Sequence, residues 1–74
     1  MKTKTFCPEK FRAARIAKGF SYLSLARLLQ KSEPKASKQS VWKWETGKAT
    51  PSYRYLLLLS AVFRKPIDHF FKSS

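Results

Sequence analysis

Apolar residues recur along this chain at spacings of three and four and never in strict alternation, a rhythm that predicts helices and no strand. In "PEKFRAARIAKG", Phe11, Ala14 and Lys18 share one face with Arg15 beside it, while Pro8 suits a first turn and Gly19 a stop. Ser21 is the expected cap of "YLSLARLLQK", where Leu25, Ala26 and Leu29 keep helical spacing. "SEPKA" interrupts the pattern, because Pro34 lacks a donor and disfavours helix at Glu33. Ser37 caps a third helix, "KQSVWKWE", with Val41 and Trp44 inward and Gly47 closing it. After "ATPS", Ser52 caps "YRYLLLLSAVF", whose inward stripe is read as Tyr53, Leu56, Leu57, Ser60 and Phe63. "PIDHFF" reads as one short helical turn closing over the core with Ile67 and Phe70 or Phe71. The expected fold is therefore all-α, a compact five-helix bundle. It forms a single domain over residues 6–71, with flexible termini at 1–5 and 72–74.

At 74 residues the chain can build one core, and a 43% hydrophobic share with six Phe, three Tyr and two Trp is enough to fill it. Charge changes the picture more. A formal net charge of +12 makes the fold repel itself, so a polyanionic partner is the natural explanation. Nucleic acid ranks first, an anionic membrane second and an ordinary solvated surface third. "MKTKTFCPEK" has no apolar run behind it and is not a secretory signal, and "LLLL" at 56–59 is far too short to span a bilayer.

Enzyme chemistry finds little support. His69 is the only histidine, no carboxylate pair or glycine-rich loop is evident, and no cofactor is expected. His69 reads as a surface or dimer-rim residue. Cys7 is alone, which excludes an intramolecular disulfide and a thiolate cluster for metal, and agrees with a reducing cytoplasm. It is expected to be a small buried or semi-exposed hydrophobe. Glu45 is more telling: a carboxylate at the C-terminal end of a helix opposes the helix dipole, which suggests a cationic partner.

The ordered set Arg15, Gly19, Phe20, Ser21, Leu25, Ala26, Ser37, Trp44, Glu45, Gly47, Pro51 and Ser52 resembles the phage repressor and Cro type of helix-turn-helix domain, also called xenobiotic-response-element-like. The likeness runs from about Phe11 to Phe71. It implies a lambda-repressor-like fold and a sequence-specific regulator of transcription, a repressor by preference, that binds double-stranded DNA. The helix over 37–46 would read the major groove. It further implies that Arg15 and Glu45 form a largely buried ion pair pinning that helix to the first. Ser37, Lys38, Gln39, Ser40 and Lys43 take the base-reading positions, where Gln can grip adenine and Lys can reach guanine. Tyr22, Thr46, Lys48 and Ser52 take the phosphate-binding positions.

Four departures from the family pattern stand out. The connection between the second and third helices is roughly five residues longer than the usual turn, with "KSEPK" as the insertion, and Lys31, Lys35 and Lys38 lie near it. Trp42 stands where the family has a small or polar residue, and is expected to be covered by the loop before its helix, with a thymine methyl as the other contact. Tyr55, Leu58 and Val62 fall on the face away from the inward stripe. They are a candidate homodimer face that would set two reading helices on a palindromic operator; otherwise "PIDHFF" covers them. Arg64 and Lys65 stand where a left-handed glycine would ease the exit from the fourth helix. The rival function is a protein-binding module on the same fold, an antitoxin or bridging factor, and non-specific nucleic-acid binding is a third reading.

Overall fold

The computed structural model describes residues 4–73. Its elements run β1 (Lys4–Phe6), α1 (Pro8–Ala17), α2 (Tyr22–Gln30), α3 (Lys38–Glu45), α4 (Tyr53–Phe63), a 3-10 turn (Ile67–Phe70) and β2 (Phe71–Ser73). There are four α-helices where five helices were expected. The fifth is only a 3-10 turn, with the His69 N–H donating to the Pro66 carbonyl at 2.9 Å, because Pro66 starts it in extended backbone and Phe71 ends it there.

The absence of strands also fails as an expectation. β1 and β2 form an antiparallel ribbon with Lys4 opposite Ser73, Thr5 opposite Lys72 and Phe6 opposite Phe71. Strands this short carry no readable period, and their pairing joins opposite ends of the chain. Lys4, Thr5, Lys72 and Ser73, which the sequence placed in the flexible ends, are thus paired, while positions 1–3 and 74 lie outside the described residues. The Cys7 N–H continues the ladder to the Phe70 carbonyl at 2.7 Å, and the Phe6 and Phe71 rings meet edge-on at 5.9 Å.

Local chemistry sets the helix limits. Pro8 occupies the first turn of α1, where a missing donor costs nothing. Ser21, Ser37 and Ser52 each accept a bond from the backbone N–H three residues on, filling donors that a helix start leaves empty. Gly47 follows α3 at φ 80°, the left-handed conformation that glycine adopts freely. Arg64 takes that same conformation after α4 at φ 55°, without glycine's freedom.

Phe11 is fully buried at the centre of the core, its ring 6.1 Å from Trp44, 6.2 Å from Phe63 and 6.5 Å from Phe70. Leu25, Ala26 and Leu29 from α2, Val41 from α3 and Leu59 from α4 complete it. The expected stripe on α4 is half wrong. Leu56, Leu59 and Phe63 point inward, whereas Tyr53 and Leu57 leave 69% and 47% of their surface exposed. Four consecutive leucines leave the phase of the helix open, and contact between Tyr55 and Trp44, with ring centroids 4.9 Å apart, accompanies the phase adopted. Tyr55, Leu58 and Val62 consequently pack against the core and are half-buried, so only part of the expected apolar face is left to solvent.

The connection over 31–37 is tied down. Ala36 is buried within the core, Gln30 Nε2 donates to its carbonyl, and Glu33 meets Arg54 at 3.0 Å. The residue that follows the insertion therefore joins the core, and the insertion itself is held by Glu33 instead of hanging free.

Candidate nucleic-acid interface

Helix α3 divides sharply. Val41 and Trp44 anchor it from inside, while Lys38, Gln39 and Lys43 are exposed along its opposite side. Ser37 and Ser40 behave differently from their neighbours. The Ser40 N–H donates to Ser37 Oγ at 3.2 Å and the two hydroxyls lie 3.3 Å apart, so both are engaged in holding the helix start.

The orientation of α3 is fixed by charge as well as by packing. Arg15 donates to Glu45 Oε1 from Nη2 at 2.9 Å and from Nε at 3.2 Å, and from Nη1 to the Phe20 carbonyl at 2.7 Å. The Glu45 side chain is 3% exposed and that of Arg15 13%, so the pair is largely out of water. Arg12 adds a longer contact to the same oxygen at 3.7 Å. The Arg15 guanidinium also lies 4.6 Å from the centre of the Tyr22 ring, a cation–π geometry. The Tyr22 phenol is pushed above its ordinary pKa, first by the pull of the nearby Glu45 carboxylate on its hydroxyl proton, then by burial and by the carboxylate charge, with Arg15 and Arg12 opposing. Glu45 Oε2 itself is buried without a hydrogen-bond partner among the described residues.

Trp42 is not covered by the preceding loop, contrary to expectation. It is 40% exposed and walls a cleft of about 270 Å³ together with Tyr22, Lys38 and Gln39. Lys48 Nζ lies 5.7 Å from its ring centre. Residues two apart lie about 200° apart around a helix, so Trp42 and Trp44 take different surroundings as expected, and only the cover from the loop fails.

The remaining candidates surround this edge. Tyr22 opens α2, half-buried and lining the cleft, and Ser52 caps α4. Thr46 Oγ1 donates to the Trp42 carbonyl at 2.8 Å, and the Lys48 N–H donates to the Lys43 carbonyl at 2.9 Å, leaving the Lys48 side chain exposed. Three of the four acidic residues are engaged in ion pairs: Glu45 with Arg15 and Arg12, Glu33 with Arg54, Asp68 with Lys4. Among the described residues Lys38, Lys43 and Lys48 have no ion-pair partner. Their charge is available to an outside anion.

Elsewhere, His69 is half-buried with its ring 5.4 Å from Phe70, and Cys7 is buried. No group of metal-binding side chains occurs among the described residues, and no described helix is long and apolar enough to cross a membrane. No curated protein and no solved structure matches the chain. A model of the helix-turn-helix family matches residues 11–70.

Proposed function

This chain belongs to the helix-turn-helix family in its phage repressor and Cro form, a DNA-binding regulator, and from that premise we propose that it binds one duplex sequence by laying α3 in the major groove. The observation that carries this reading is the exposed polar edge of α3. Its inner side is locked by Val41, Trp44 and the Arg15–Glu45 pair, and its outer side is bordered by unpaired lysines. Gln39, Lys38 and Lys43 read base edges. Ser37 and Ser40 hold the helix start and meet the groove where it enters. Tyr22, Thr46, Lys48 and Ser52 contact phosphates, aided by the N–H groups opening α2 and α4. Repression by occlusion is the mode we assign, because it requires nothing beyond duplex binding, and the cytoplasm with its nucleoid is the compartment that holds the target.

We assign a palindromic operator with one copy of the chain on each half-site. The rival reading as a protein-binding module rests on Tyr55, Leu58 and Val62, which are half-buried against the chain's own core and so offer a partner only part of their surface. Selection of bound sites from random duplex DNA tests the proposal. The expected result is one preferred motif with dyad symmetry, bound about 10³-fold or more above random sequence. Affinity should fall linearly with log salt, by about 0.9 per phosphate contacted. Equal binding to every duplex would overturn it.

A further inference from the structure

We infer that the cleft between α2 and α3 reads the 5-methyl group of a pyrimidine, with Trp42 as the specificity-determining residue; the inference rests on the duplex-binding reading above. Trp42 leaves 40% of its surface in water in the free protein. An indole so placed gains from any apolar group that covers it. The cleft it walls, about 270 Å³, pairs two aromatic rings, Trp42 and Tyr22, with two long side chains, Lys38 and Gln39, that end in hydrogen-bond donors. A site for phosphate alone would have no use for the rings.

Charge selects the partner. Lys38 is in the cleft wall, Lys48 Nζ lies 5.7 Å from the Trp42 ring, and neither has an ion-pair partner among the described residues. An apolar hollow set among free cations suits a polyanion that presents one apolar group. Duplex DNA does so: the C5 methyl of thymine is the apolar mark among the donors and acceptors of the major groove. Methylated cytosine carries the same group on the same ring carbon. Gln39 belongs both to the reading edge and to the cleft wall. An adenine gripped by its amide, with a 5-methylpyrimidine adjoining, is therefore the expected signature.

The test uses the whole chain and its best selected site. Each thymine is replaced singly by deoxyuridine, which removes one methyl and nothing else. At the sensitive position cytosine is then compared with 5-methylcytosine, which separates a thymine reader from a reader of the methyl on either base. One position per recognition helix should weaken about fourfold on losing its methyl, the worth of burying one such group. Trp42→Ala, checked for an unchanged thermal transition, should bind the methylated and unmethylated sites alike, and Trp42→Phe should keep part of the difference. A flat deoxyuridine scan on a site that is otherwise bound specifically overturns the inference while leaving the duplex reading intact. A methyl effect undiminished in Trp42→Ala, or uniform weakening of that variant on every duplex, overturns it too, the latter because the ring would then be packing on sugar. Failure to select any preferred site sinks the duplex reading first and this one with it.

Discussion

Trp42 and Trp44 stand on opposite faces of one helix. Trp44, 4% exposed, packs its ring against Phe11 and Tyr55; Trp42, 40% exposed, walls an open cleft among lysines. The residue type is the same and the helix is the same, so the side chain alone does not choose its surroundings. The inner face of α3 fixes an orientation, through apolar contacts and one sequestered ion pair. The outer face makes few internal contacts and keeps its donors for something else.

The sharpest way to break this contrast is to truncate both rings. Trp44→Ala should cost about 3–5 kcal/mol of folding stability, read by urea unfolding, as expected for deleting a core aromatic. Trp42→Ala should stay within about 0.5 kcal/mol of the parent; comparable losses would mean the two faces are not distinct. Next in size, Glu45→Ala should cost about 3 kcal/mol, because it strands the Arg15 guanidinium in a site only 13% open to water. On the outer face the loss should appear in binding instead. Gln39→Ala is expected to lose about 1–3 kcal/mol at a single base pair, while Lys48→Ala weakens all duplexes alike and lowers the salt slope by about one.

Smaller still is a change remote from both faces. Arg64→Gly should raise stability by about 0.5–1 kcal/mol, since a left-handed residue with a Cβ is strained and glycine relieves it at some cost in chain freedom. Tyr22 touches both faces and gives the weakest signal. Its phenol is held protonated beyond the usual value of 10.0, so its contribution is complete below that pH and is lost as the pH rises through the higher native pKa. Tyr22→Phe should flatten that alkaline limb in unfolding measured against pH, and an unchanged limb would show that the phenol does not sense Glu45.

What the sequence disclosed was local. Ser21, Ser37 and Ser52 bond to their own helices, and Pro8, Gly19 and Gly47 act through their own backbone angles, so each is readable in place. The exposed placement of Lys38, Gln39 and Lys43 agrees with the family likeness and with a helical period that turns Val41 and Trp44 inward. What stayed hidden was contact between distant segments. The ribbon joins β1 to β2, Ala36 enters the core from a loop whose composition reads as polar, and the phase of α4 lies within a run of leucines. Trp42 is the case between these two kinds: geometry shows that it cannot lie beside Trp44, but only the folded chain shows that the loop leaves it uncovered.

The ribbon bears on how the domain would respond to being pulled. With Lys4 opposite Ser73, the two ends of the described chain leave the molecule side by side. Tension applied there would unzip the backbone pairs one after another, without loading them together, so the domain is mechanically soft along that direction. The same adjacency would let the whole unit be spliced into a surface loop of a carrier protein without prying that loop apart.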